Sequence, residues 1–289
     1  MNTNISRRRL LKGASLVPFL AGGISALGQE ASRSPVKGNI RQSVTYGTFR
    51  NIPLDELAKA LLNMGIVGLD LVGPNDWDAV QKAGLIVTLS STPGGSIAEG
   101  FNHVENHDRL VAIFEDLIPR AEQAGVKQLI CMSGNRKGKS DDEGIRNCIT
   151  GLKRIVPLAE KHGVMLVMEL LNSLVNHADY HADRTSFGAE IVKGVGSENF
   201  KLLYDIYHMQ IMEGNLIDTI RKNADVIGHY HTAGVPGRRD LDDQQEIYYP
   251  AVMRAIVESG FKGFVAHEFS PKKTDRLESL RDAVNVCDV

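Results

Sequence analysis

Two hydrophobic periodicities alternate along most of the chain. Short runs of apolar, often β-branched or aromatic residues begin at Arg41 (RQSVTYG), Val67 (VGLDLVG), Leu85 (LIVTLSS) and Gln128 (QLICMSG), and again at Val164 (VMLVMEL), Phe200 (FKLLYDIY), Val226 (VIGHYHT) and Phe264 (FVAHEFS). They have the length and composition of buried strands. Between them lie stretches such as LDELAKALLNMG, DRLVAIFEDLIPRAEQAG and YYPAVMRAIVESG, whose apolar residues recur every three or four positions and which end on glycine, the pattern of amphipathic helices with a C-terminal cap. Strict strand and helix alternation with near-continuously apolar strands predicts a parallel sheet covered by helices. Eight such units, with no Gly-rich phosphate-binding turn after the first strand, favour an α/β closed (β/α)8 barrel, a TIM barrel, over a doubly wound sheet. No Pro/Ser-rich linker divides it, so residues 40–289 read as a single domain.

The first 28 residues do not fit this pattern. Ser6-Arg7-Arg8-Arg9-Leu10-Leu11-Lys12 followed by the mildly apolar run GASLVPFLAGGISALG has the form of a twin-arginine export signal, with Ala26 and Gly28 small enough to flank a cleavage point. The run is too short and Gly-rich for a spanning helix, and no cysteine near the cut suggests a lipid anchor. An uncleaved N-terminal anchor is the competing reading. The expectation is a bacterial protein exported folded to the periplasm by the twin-arginine machinery, with residues 29–39 as a short linker. Removing the segment deletes Arg7, Arg8, Arg9 and Lys12 and no acidic residue, so the formal charge falls from −2 to −6, which opposes nucleic-acid binding. Cys131, Cys148 and Cys287 are odd in number, form no CxxC pair and read as small buried hydrophobes.

The candidate chemistry sits where apolar strands end. In a barrel the C-terminal ends of the strands form the functional face. Here four consecutive strands finish on Glu169, Asp205, His231 and Glu268. A buried carboxylate is strongly disfavoured unless paired or metal-bound, and three converging carboxylates repel unless a cation lies between them. Three carboxylates and one imidazole suit one divalent ion, Mn2+, Mg2+ or Co2+, with Zn2+ also compatible. His208, three residues after Asp205, either contacts a substrate oxygen or caps backbone groups in its loop. His229 shares the inward parity of His231 one layer deeper, which suits support or core packing, and His267 has the opposite parity and should face the helices. Arg238 or Arg239, in the polar loop GVPGRRDLDDQQEIYYP, can clamp a carboxylate or a pair of hydroxyls. The charged stretch CMSGNRKGKSDDEG reads as a solvated run with no assigned role.

The pieces DIYHMQIMEGNL, PGRRD, EIYYP and GFKGFVAHEFSP, with the segment from Glu169 to Asn172, resemble the xylose-isomerase-like TIM barrel superfamily, and within it the hydroxypyruvate isomerase group, from about Ile40 to the end. The resemblance implies that Glu169, Asp205, His231 and Glu268 bind one divalent metal, that the two glutamates move protons, and that His208 and Arg238 contact substrate. Asn172 and Glu246, inside matching segments, join the expected substrate-binding set. It implies an isomerase acting on hydroxypyruvate or a sugar by proton transfer through an enediolate. Two departures keep the substrate open: hydroxypyruvate isomerases usually carry Gln at the position of His231, where ketose 3-epimerases carry His, and a family Gly-Glu pair is Gln245-Glu246 here. A ketose 3-epimerase and a non-catalytic exported sugar-binding protein are the alternatives. The endonucleases that share the scaffold need further histidines after the second and third strands, and LDLVGPND and VTLSSTPGG lack them. Barrels of this group often pair, so a homo-oligomer is also an open expectation.

Overall fold

The computed structural model describes residues 36–289; the export segment and most of the linker expected from the sequence lie outside the described residues. Eight parallel strands form one sheet: β1 (Arg41–Thr45), β2 (Gly68–Asp70), β3 (Ile86–Val87), β4 (Gln128–Cys131), β5 (Met165–Glu169), β6 (Phe200–Asp205), β7 (Ile227–Thr232) and β8 (Phe264–His267). Their order is β3-β2-β1-β8-β7-β6-β5-β4. The two end strands of that order meet through Ser90, whose N–H donates to Gln128 O at 2.9 Å and whose carbonyl accepts from Ile130 N–H at 3.1 Å. This is the expected TIM barrel.

The third strand is shorter than its apolar run predicts. Backbone pairing to the second strand's segment nevertheless continues, Thr88 N–H donating to Leu69 O at 2.9 Å, Val72 N–H to Leu89 O at 3.2 Å and Ser91 N–H to Val72 O at 3.1 Å, and the Ser90 hydroxyl adds a bond to Val72 O at 2.9 Å. Inside the ring, Leu89, Ile130, Val167 and Leu203 form a small apolar layer. Because strand side chains alternate, the residues two positions on from Val167 and Leu203 point the same way. Those residues are Glu169 and Asp205, so the polar site sits directly above a dry plug.

Outside the ring, helices bury one face each. In His107–Gln123 the buried residues Leu110, Val111, Phe114, Leu117, Ile118 and Ala121 recur at helical spacing against the strands. His267 belongs to this outer layer, as its parity predicted. Its Nε2 pairs with Gln42 Oε1 at 2.8 Å, and Gln42 Nε2 donates to Val284 O in the last helix, Arg276–Cys287. Cys131, Cys148 and Cys287 are buried and unpaired. Among the described residues, no helix is long and apolar enough to cross a membrane.

Candidate active site

Asp205 shows how one strand end becomes a site. The chain leaves β6 straight into the helix Ile206–Met212, and Asp205 is its N-cap: Oδ1 accepts from His208 N–H at 3.1 Å. That bond fixes the carboxylate and leaves the buried Oδ2 without a hydrogen-bond partner among the described residues. Glu169 is held differently. The buried Tyr180 hydroxyl donates to Glu169 O at 2.9 Å and accepts from Ser133 N–H at 3.1 Å, tying the ends of β5 and β4 together, while Glu169 Oε1 is likewise buried and unpartnered.

Glu169, Asp205, His231 and Glu268 each place one ligand atom within 4.8 Å of the others. His231 Nδ1 lies 2.8 Å from Glu268 Oε2 and 3.4 Å from Glu169 Oε1. Orphaned carboxylate oxygens in a buried cluster call for a cation, and three carboxylates with one imidazole suit a hard or borderline divalent metal. The residues present therefore fit the ion that the sequence implied.

Beneath this group is a carboxylate that sequence reasoning did not single out. Asp70, at the end of β2, is fully buried; its Oδ1 accepts from His231 Nε2 at 3.1 Å, its Oδ2 accepts from the Thr88 hydroxyl at 3.0 Å, and His229 Nε2 lies 2.9 Å from Oδ2. Asp70, His229 and His231 also have metal-like spacing. Both Asp70 oxygens are already engaged, however, Oδ1 by His231 and Oδ2 by Thr88 with His229 alongside, and His231 belongs to both groups. Asp70 and His229 are the support beneath the upper cluster. The signal for Asp70 was present, a lone carboxylate inside VGLDLVG.

The electrostatics separate the two glutamates. Burial, reinforced by Glu268 and Asp205 against the hydrogen bond from His231, raises the Glu169 pKa to about 7. Glu268 is half-buried, and Arg238 and His231 outweigh its desolvation and hold it down at about 2. Burial also pushes Asp205 upward. Desolvation disfavours the charged form of His231, yet Glu268, Asp70 and Glu169 overcome it and raise its pKa well above the ordinary value. In Asp70, burial is likewise overcome, here by His229 and His231, and the carboxyl is depressed.

The remaining expected residues fall into place as follows. Arg238 reaches the cluster, its Nη2 2.7 Å from Glu268 Oε2 and 3.7 Å from Asp205 Oδ2. It does so from a left-handed backbone conformation, φ 56°, rare for a residue with a side chain. His208 Nδ1 accepts from Asn172 N–H at 3.1 Å and from Asn172 Nδ2 at 2.6 Å, so its proton sits on Nε2, which is buried, unpartnered and 3.7 Å from Asp205 Oδ2. Burial pushes the pKa of His208 well down, which keeps the ring neutral. Asn172 also braces its own loop, Oδ1 accepting from Val175 and Asn176 N–H. Glu246 is exposed and accepts from Gln210 Nε2 at 3.0 Å, outside the group of four. The charged stretch after β4 is not merely solvated: Arg136 pairs with Asp141, Arg184 pairs with the same Asp141, and Lys137 N–H donates to Asp179, clamping the loop after β4 to the loop after β5.

The sequence model of the xylose isomerase-like TIM barrel matches residues 77–287. The chain belongs to this family. Within the family it is 28% identical over 211 residues to a putative hydroxypyruvate isomerase of Homo sapiens, covering 70% of this chain and 76% of the relative. It is 29% identical over 224 residues to the hydroxypyruvate isomerase of Escherichia coli, covering 73% and 85%. Among solved structures, an AP endonuclease, family 2, from Brucella melitensis superposes with a TM-score of 0.71 at 22% identity, covering 82% of this chain and 95% of that one, a likeness that shows the shared barrel. The sequence relatives of this family member support isomerase activity.

Proposed function

We propose that the protein is a divalent-metal-dependent isomerase that moves a proton between neighbouring carbons of a small hydroxy-carbonyl compound, hydroxypyruvate-like or a sugar, through an enediolate. The observation that carries this reading is the convergence of two cavity-lining glutamates on one imidazole, His231 Nδ1 lying 3.4 Å from Glu169 Oε1 and 2.8 Å from Glu268 Oε2. Two carboxylates facing one cavity can serve as the two proton-transfer groups of an enediolate reaction. Glu169, Asp205, His231 and Glu268 would hold the ion. Bound there, a divalent cation supplies Lewis acidity, which polarises a carbonyl and acidifies the adjacent C–H. Glu169 takes the proton from one carbon. Glu268 serves the other position, its carboxylate oriented by Arg238 and His231. The neutral His208 offers its free Nε2–H to a substrate oxygen, and Arg238 is placed to bind another. The same two bases working on opposite faces of one carbon give an epimerase, and His231 favours that second reading because ketose 3-epimerases resemble this chain there. We also propose that the protein acts in the periplasm after twin-arginine export, on the strength of its arginine-led first 28 residues.

The direct test measures bound metal by elemental analysis and follows deuterium from D2O into ketoses, aldoses and hydroxypyruvate. About one Mn2+, Mg2+, Co2+ or Zn2+ per chain with exchange into one substrate supports the proposal, and the labelled carbon separates isomerase from epimerase. Metal without exchange into any of them favours a binding protein, and no metal overturns the reading of Asp205.

Protons compete for the same donors. With Glu169 at about 7 and His231 raised well above its ordinary value, both are protonated in the metal-free site below neutrality and must release those protons to bind an ion. Metal affinity is therefore expected to rise with pH from about 6 to 8, with proton release visible as a buffer-dependent heat in calorimetry. A flat profile counts against these ligands.

Arg238→Lys removes the planar fork while keeping the charge. A rise in KM of about tenfold, with a smaller change in kcat, is expected if Arg238 binds substrate before the chemical step. Steady-state kinetics on the substrate found above decides it.

A further inference from the structure

The cavity over the cluster holds about 270 Å³, near the ~300 Å³ at which pockets accept drug-sized ligands and well beyond what a three-carbon acid fills. Glu169, Glu268, Arg238 and His177 bring the chemistry to it. Most of the remaining lining is apolar, with Leu71, Ile97, Phe101, Ile130, Met132 and Leu171 among it. Of the hydroxyl groups in the lining, Thr92 Oγ1 donates to Ile130 O at 2.5 Å and Ser96 Oγ accepts from Ala98 N–H at 3.2 Å, which leaves Ser91 and the Ser96 proton as its few free hydroxyl donors. Glu99 is paired with Arg109 at 2.9 Å. Arg238 is the one lysine or arginine among the described residues lining the cavity, and it already pairs with Glu268. Leu71 adds an independent sign. It sits in the left-handed region at φ 52°, strained for a leucine, immediately after Asp70. Strain of this kind persists where surroundings impose it and clusters at ligand sites.

We infer that the substrate is a hydroxy-carbonyl sugar derivative whose end remote from the reacting carbon is apolar, either deoxygenated or bearing an alkyl or aryl group, and carries no phosphate. This rests on the isomerase or epimerase reading above. A polyhydroxylated tail against the apolar lining would lose more hydrogen bonds to water than Ser91 and Ser96 could return, whereas each buried methylene is worth about fourfold in binding. A phosphate on the remote end would find no cation, because Arg238 stands beside Glu268 and Asp205 at the reacting end.

The test compares a ketohexose, its 6-deoxy analogue, its 6-O-phenyl ether, its 6-phosphate and hydroxypyruvate, by kcat/KM for deuterium exchange and by calorimetric affinity for the Mn2+-loaded protein. The inference expects the 6-deoxy sugar about fourfold and the phenyl ether at least about tenfold above the parent in affinity, with the phosphate and hydroxypyruvate below it. It also expects Ile97→Asn and Met132→Gln each to reduce the advantage of the phenyl ether about fivefold, metal stoichiometry serving as the control for folding. Exchange with hydroxypyruvate or the phosphate ranked first overturns the inference and leaves the isomerase reading intact. The expected affinity order without exchange into any compound sinks the isomerase reading and leaves the apolar lining standing as a ligand-binding subsite. Equal affinities, or no binding by any of the five, overturn the inference.

Discussion

Glu169→Gln is expected to lower net turnover by about a thousandfold or more, the scale on which a positioned general base contributes, while metal affinity falls only in part. The amide keeps an oxygen where the carboxylate had one and preserves the shape of the site, but it can neither accept a proton nor balance the charge of a cation. Backbone placement should survive, because the Tyr180 hydroxyl holds Glu169 through its carbonyl and not through its side chain. Glu268→Gln should lose as much turnover and more metal affinity, since its carboxylate also meets Arg238 at 2.7 Å and His231 at 2.8 Å. The two variants carry a further signature. Each leaves one carboxylate in the cavity, so deuterium exchange at one position should outlast net conversion. Turnover within tenfold of wild type in either variant would remove that glutamate from the chemistry.

The parts of this site that could be read from the sequence are those where local pattern and local structure coincide. Glu169, Asp205 and His231 close apolar strands and Glu268 directly follows one, and a carboxylate after several buried residues stands out in any window of seven. The barrel followed from the same alternation, because period-two runs between period-3.6 stretches leave few topologies open. Asp70 carries the same signal but lies far away in the chain, before the run of four polar strand ends. Only the closed ring brings inward side chains of β2 and β7 together. The cavity wall was hidden for another reason. Ile97 and Phe101 lie on the loop after β3, where no periodicity marks which residues face inward, and their position depends on that loop crossing the one after β4. A Cβ on Gly100 would stand 2.2 Å from the backbone of Ser133, so the approach needs a glycine there. The charged stretch after β4 looked solvated because its partner for Arg136 is beside it in the chain, but Arg184, which shares Asp141, comes from beyond the next strand.

Asp70→Asn should weaken metal binding by about 10- to 100-fold, the usual penalty for losing a carboxylate that orients a ligating histidine. For His231 Nδ1 to present its lone pair to a cation beside Glu169 and Glu268, the ring proton must reside on Nε2, and Asp70 Oδ1 is what accepts it there. An amide has one oxygen for two imidazoles. If its NH2 faces His231, the ring must accept at Nε2 and carry its proton on Nδ1, where the ion belongs. If the amide turns the other way, His229 meets the NH2, and His231 still loses the negative charge that makes it a stronger donor. Thr88→Ala removes only one hydrogen bond to Asp70 and should show a much smaller effect, within about threefold. Calorimetry with Mn2+ and the visible spectrum of the Co2+ form read the ligand directly, independent of turnover. A lower melting temperature with unchanged metal affinity and an unchanged Co2+ spectrum would mean that Asp70 only packs the core. A loss of affinity in Asp70→Asn that Asp70→Glu does not share would mean that the charge beneath His231 tunes the site above it.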